Sequence, residues 1–558
     1  RRNPRRMIMR AALMVTLALG TLLAPEAAAV GPSPHDESWS AHLGLVDQLA
    51  WAATDRQVRH YLRDVHRDLD TPFARSLRAD ARPLLRKLGP HTFYAVEAEL
   101  LEDFSGVDRR LVHLRQAVIY TNRSRRPITS LTFRVFANGE HVFPESARVL
   151  DARVGVHPVP HDLEGSLLTV QLPEPLRPGR STRVLLELLE DIQPFDPSAG
   201  AAQTDRLTAE DVGGLGYAGE YVHLGGFLAV ATPIDRDGQF DRRPLPVNGE
   251  YAVFDPATFH VVFELDADRQ LATSGIELAR RSDDERQSVV AVAALTRDFA
   301  ASTGRGLEVS TVELDEVTLR LFHDADEPLM GRHMGRWSRE AWQVLVDTYG
   351  PPTMAEVDVV EGPLAVALGQ EFHGLTIVDL RDDDGSYFRS DDHAWTIAHE
   401  LAHQWWSADV GSDARDAPWL DEALSSHGSA LVWESIHGRQ AVEERFLIDA
   451  IDPAADMAAE GVADLPADLP ASDYVLWQYS VIVYGRAALF VDRIRQLLGP
   501  DAFARAMSGY ANRFRGRQAT SDDLLDAWRR EASDPDEVDR LYERWIRSPA
   551  ADGLLESP

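Results

Sequence analysis

The segment TIAHELAHQWW, residues 396–406, sets His399 and His403 four positions apart, with Glu400 directly after the first histidine. On a helix, residues at that spacing lie one turn apart, with Cβ atoms roughly 5–6 Å from each other. Two imidazoles so placed can share one zinc ion. Glu400 is rotated by about 100° from His399, so it flanks the ion without ligating it, where a base acting on water belongs. An H-E-x-x-H string alone arises by chance in roughly a few per cent of chains this long, so a third ligand is needed. Eighteen residues, QWWSADVGSDARDAPWLD, separate His403 from Glu422. They break into a Gly/Asp/Pro loop and restart a helix at PWLDEALSSHGSALVWE. A helix, a return loop and a second antiparallel helix bring Glu422 beside the two histidines. Two His and one Glu leave the fourth position of a tetrahedral zinc open to water, which marks a catalytic rather than a structural site. Requiring Glu at that one spacing lowers the chance expectation by a further factor of about ten or more. The expected cofactor is one zinc ion per chain on His399, His403 and Glu422.

The elements that must position these residues follow from periodicity. Trp395, Ala398, Ala402 and Trp405 recur at helical spacing and predict the buried stripe of the histidine helix. Ser390, Asp391 and Asp392 suit its N-terminal turn. They end the acidic stretch RDDDGSYFRSDDH, which lacks the alternating ligands and distal glutamate of an EF-hand and reads as a solvated loop. Residues 30–90 form a helical prefix, with apolar and charged residues alternating at helical spacing from 36 to 88. From 91 to 305 the texture is short β-rich runs (FYAVEAELL, LVHLRQAVIYTN, STRVLLELLE, FHVVFEL, SVVAVAAL) between Gly, Pro, Asn and Asp turns. This predicts a β-sandwich or saddle-like domain. Beyond VTLRLFH, at 317–323, helical patterns dominate, so 306–558 reads as one mostly helical domain. The fold class is α+β and multidomain.

Composition narrows the partners. The 558 residues carry a formal net charge of −32, which argues against a nucleic-acid partner, because phosphate binding needs clustered cations. Lys87 is the only lysine. With no cysteine, disulfides, Cys-ligated zinc and a thiol nucleophile are excluded. Residues 1–29 read as a signal peptide: basic RRNPRRMIMR, apolar AALMVTLALGTLLA and an A-x-A cleavage site at 27–29. RRMIMR faintly resembles a twin-arginine signal. No other stretch is apolar enough to span a bilayer, so the mature chain is expected to be exported, without a membrane span.

With these motifs in place, AHELAHQWW and PWLDEALSSH resemble the zinc motif of the aminopeptidase N family of gluzincins, whose catalytic domain is thermolysin-like. LGQEFHGL, residues 368–375, resembles that family's G-x-M-E-N segment, and VYGRAALFVDRIRQLLG, residues 483–499, its tyrosine motif. The resemblance covers nearly the whole mature chain. It implies that Glu371 binds the free amino group of a peptide substrate and that Tyr484 stabilises the oxyanion. It also implies that Glu400 is the base and that the activity is removal of N-terminal residues from peptides. Gln370 stands where the family has Met, Phe372 and His373 where it often has Asn and an aromatic, and no second amine ligand from the β domain is identified. The alternatives are a gluzincin cleaving internal bonds or blocked peptides, and a binding or scaffold protein with an idle zinc site. His373 and His427 are expected to be structural, and Trp405 and Trp406 to pack.

Overall fold

The computed structural model describes residues 42, 44–49, 55–102, 108–139, 146–198, 213–246, 248–249, 253–315, 317–381 and 392–549. The signal-peptide reading and most of the acidic stretch, with Ser390 and Asp391, lie outside them.

The alternation of Thr92–Leu101 explains how two layers assemble on one sheet. This strand pairs parallel with Ala257–Asp266 and antiparallel with Arg110–Thr121 inside an eight-stranded sheet. Tyr94, Val96 and Ala98 enter one core with Phe259 and Val261. Phe93 and Ala95 point the other way, into a smaller core with Ala117 and Ile119. N-terminal elements cover that second face: Val58, Tyr61, Leu62 and Val65 of the helix Asp55–Arg67 recur at i, i+3, i+4 and i+7 and join it with Leu45, Val46, Phe73 and Leu77. Each such side chain contributes roughly 1.5–3 kcal/mol when fully buried. Two four-stranded sheets complete the β region.

Beyond residue 324 helices dominate, as the sequence pattern implies, but around a five-stranded sheet that the pattern does not announce. Its order is Leu307–Leu314, Val317–Asp324, Glu356–Glu361, Leu375–Val378 and Gly369–Phe372. Its residues divide between two cores. Leu319, Leu321, Val357 and Val359 join the helical side, whereas Phe322, Val360, Leu375 and Ile377 join the β side. This sheet therefore couples the two regions. Its edge strand, Gly369–Phe372, carries Glu371.

Candidate metal centre

The helix Asp392–Ala402 carries His399 and Glu400, and His403 stands in the first turn beyond its end rather than on it. The chain tightens there. Gln404 and Trp405 donate only three residues back, to the carbonyls of Leu401 and Ala402, while His403 N keeps its helical partner, His399 O, at 3.3 Å. The buried stripe is Ala394, Ile397, Ala398, Leu401 and Ala402. Trp395 departs from its expected burial. Four residues before His399, it shares the histidine face and lines the cavity there.

Trp405 and Trp406 turn the chain away from the helix. Trp405 Nε1 donates to Gly350 O at 2.6 Å, and Trp406 packs edge-on against Tyr349 at 4.8 Å. The chain returns to Trp419–His437, which carries Glu422. The two helices meet where Gly428 faces Ala402: a Cβ on Gly428 would lie 2.7 Å from the Ala402 methyl. Only glycine permits that approach, and it brings Glu422 within reach of both imidazoles.

His399 Nε2 and His403 Nε2 lie 3.1 Å apart, and Glu422 Oε2 is 3.3 Å from the first and 3.6 Å from the second. The opposite ring nitrogens are held from behind. His403 Nδ1 donates to Asp421 Oδ1 at 2.7 Å, and His399 Nδ1 is 3.4 Å from Ser426 Oγ. Asp421 and Ser426 were not singled out in the sequence. The signals are an acid immediately before the third ligand and a serine one turn after it. With Nδ1 holding the proton, each Nε2 offers a lone pair, so two lone pairs and a buried carboxylate converge on one point. Such a donor set fits a zinc ion. A second grouping, Glu371, His403 and Asp421, is also close enough to hold an ion. It uses the His403 nitrogen already committed to Asp421 and has no second imidazole, so it fits less well.

The electrostatics follow from burial and partners. Burial works to raise the Glu422 carboxyl, but hydrogen bonds to His399 and His403 outweigh it and lower its pKa to about 2. His403 is raised well above the ordinary histidine range: burial opposes its charge, but Glu371, Asp421 and Glu422 hold the proton. His399 is lowered, chiefly by burial. Glu371, 11 % exposed and 3.6 Å from His403 Nδ1, is pushed up to about 8 by burial, against the pull of His403 and with Glu422, Glu400 and Asp421 adding to the rise.

One cavity of about 470 Å³ gathers His399, Glu400, Glu422, Tyr484, Glu371 and Trp395. All six predicted site residues except His403, which is buried beside His399, face it. Glu400 lies against Gly369, where an added Cβ would come within 2.2 Å of its Oε1, so the strand can lie on this carboxylate only with glycine there. Tyr484 stacks on His399 with ring centroids 5.7 Å apart. It belongs to a π-helical turn, Ser480–Arg486, of the kind that recurs at functional sites. Burial, with Glu422 next, raises its phenol well above the usual range. Arg445, paired with Asp449, closes another wall over the faces of Trp395 and Trp433, at 4.8 and 5.5 Å. His373 and His427 stand off the converging nitrogens. The former is buried beside Phe372, and the latter packs on Phe503 at 5.2 Å.

A thermolysin-type helix pair with a two-His, one-Glu donor set is the mark of the gluzincin metallopeptidases. Residues 378–545 match the peptidase family M1 domain, and that match supports an aminopeptidase N-type gluzincin. Similar proteins include aminopeptidase 2 of Saccharomyces cerevisiae, 27 % identical over 27 % of this chain and 16 % of that protein. Aminopeptidase N of Lactobacillus helveticus is 29 % identical over 28 % of this chain and 18 % of that protein. The chain thus covers well under a quarter of the length of these two relatives. The fold is similar to that of an M1 zinc metallopeptidase from Deinococcus radiodurans solved with a Tyr-Ser-Ala substrate (TM-score 0.57, 20 % identity, covering 84 % of this chain and 96 % of that one). The M1 zinc metallopeptidase match implies zinc, and the converging nitrogens and carboxylate suit it. Among the described residues, no helix is long and apolar enough to cross a membrane.

Proposed function

We propose that this protein is an exported zinc aminopeptidase, holding one zinc on His399, His403 and Glu422 and removing N-terminal residues from peptides. The observation that carries the reading is one cavity lined by a donor set, a carboxylate beside it and a buried phenol. Zinc held by His399, His403 and Glu422 would polarise a carbonyl and acidify water. Glu400, beside the ligands but not among them, takes a proton from the attacking water and passes it to the departing amine. Tyr484 keeps its phenolic proton across the physiological range because burial disfavours the phenolate, so it can donate to the oxygen that gains charge. Gly369–Phe372 is a sheet edge on the cavity wall, and such edges accept extended peptides by strand addition. Glu371 pairs with the substrate ammonium at the end of that edge. The basic and apolar N-terminal stretch supports export.

A second reading rests on Glu371. Burial pushes its carboxyl up to about 8, which favours the neutral acid over the carboxylate. A substrate ammonium would favour ionisation, whereas a blocked peptide would meet a hydrogen-bond donor. An endopeptidase, or an enzyme for blocked peptides, uses the same zinc chemistry with that neutral form. One peptide tested with a free and with an acetylated N-terminus separates the two. The aminopeptidase reading predicts a loss of about thirty-fold or more in kcat/KM on acetylation, as for breaking a buried charge pair. Equal cleavage of both forms overturns it in favour of the second reading.

A further inference from the structure

A cavity of about 270 Å³ opens where the N-terminal helices, the β region and the C-terminal helical region meet. Lys87, His91, Arg123, Arg297 and Arg517 line it with Asp255, and no residue of the candidate metal centre does. Four cations therefore face one carboxylate, in a chain whose net charge is −32. That inversion of charge is the first observation.

The second concerns Arg297, which is 8 % exposed. Its Nε, Nη1 and Nη2 donate to the carbonyls of Ala408, Phe254 and Arg517 at 3.0, 3.0 and 2.8 Å. Its hydrogen-bond partners are thus backbone dipoles, and Asp255, Asp409, Asp298 and Asp421 act on it only through the longer-range field. Burial draws its pKa down to about 10. A buried guanidinium balanced in this way gains from an anion. His91, 2 % exposed, also lines the cavity, its ring turned to the Pro256 backbone. Burial, with His66 and Arg123 next, lowers its pKa, so it adds no charge to the cavity. Arg123 is anchored by donating to Pro90 O, which fixes a second guanidinium at the rim.

We propose that this cavity binds a tetrahedral oxyanion, of which inorganic phosphate is the simplest. Guanidinium forks and one ammonium match its acceptor oxygens, and a monoatomic anion cannot use several directed donors at once. A strongly acidic chain repels anions elsewhere, so occupancy here would be local.

Lys87 makes the test direct, because it is the only lysine in the sequence. Reductive methylation of the zinc-loaded full chain, read by peptide mass mapping, reports Lys87 alone, with the terminal amine as internal control. Millimolar phosphate should slow methylation of Lys87 by about five-fold or more relative to chloride at equal ionic strength, and leave the terminal amine unaffected. Arg123→Ser and Arg517→Ser change exposed rim residues, and each should weaken phosphate binding about ten-fold, measured by phosphorus NMR titration. Equal effects of phosphate and chloride on Lys87 overturn the proposal, as does undiminished phosphate affinity in both folded variants. The comparison of anions on the wild type decides the matter by itself if a variant fails to fold.

Discussion

Two buried glutamates, one in each half of the molecule, show what separates a scaffold position from a site. Glu190 lies in Ser181–Ile192, within the apolar row Val184, Leu186, Leu188 and Ile192 that enters the β core. It is fully buried, neither carboxyl oxygen has a hydrogen-bond partner, and burial pushes its pKa well above the carboxylate range. Glu422 is nearly as buried, at 4 %, yet two imidazoles lower it to about 2. Burial neutralises the first acid, while its neighbours keep the second an anion. Their linkage to pH runs in opposite directions. Glu422 stabilises the metal-free fold above its unfolded pKa of about 4.3, and that contribution is lost as pH falls towards 2. For Glu190 the stabilisation is complete below about pH 4.3 and is lost as pH rises towards its raised folded value.

The contrast can be sharpened with a third buried acid. Glu400 is 4 % exposed and flanks the donor set without belonging to it. Glu400→Gln should keep the metal and lower kcat by about 10² to 10⁴. Wild-type turnover in that variant would show that Glu400 is not the base. A smaller effect belongs to the acid behind His403. Asp421→Ala should weaken metal affinity by about 10- to 100-fold, the usual effect of an outer hydrogen-bond partner. Unchanged affinity in a chelator competition would reduce Asp421 to packing. The smallest effect is at Glu190. Glu190→Met should stabilise the fold by roughly 1–3 kcal/mol at neutral pH, with the gain growing as pH rises. Thermal unfolding at two pH values measures it, and a loss of stability at the higher pH would mean that this carboxyl has a stabilising role.

The same contrast governs how much could be read from the sequence. His399, Glu400 and Glu422 were legible because helical spacing is local and a three-ligand set is improbable by chance. Asp421 and Ser426 were not, since an acid or a serine on a helix looks the same whether it backs an imidazole or meets water. Trp395 lines the cavity although the pattern predicts the core, because an apolar residue at helical spacing fits a core stripe and a cavity wall alike; only its place four residues before His399 separates them. Most long strands of the β region followed from alternation. Short strands such as Gly369–Phe372 and Leu375–Val378 did not, because four residues carry too little period, and their identity comes from pairing with each other and with Glu356–Glu361. The cationic cavity around Arg297 brings together positions from five separate stretches of chain, and no local pattern announces it.

The central claim is that His399, His403 and Glu422 together hold one zinc. Elemental analysis of purified wild type and Glu422→Gln, after the same brief exposure to a chelator, tests it most directly. Glutamine keeps the size of the side chain and removes the charge that the two imidazoles hold. The wild type should retain one zinc per chain and the variant little or none. Equal zinc in both would contradict it.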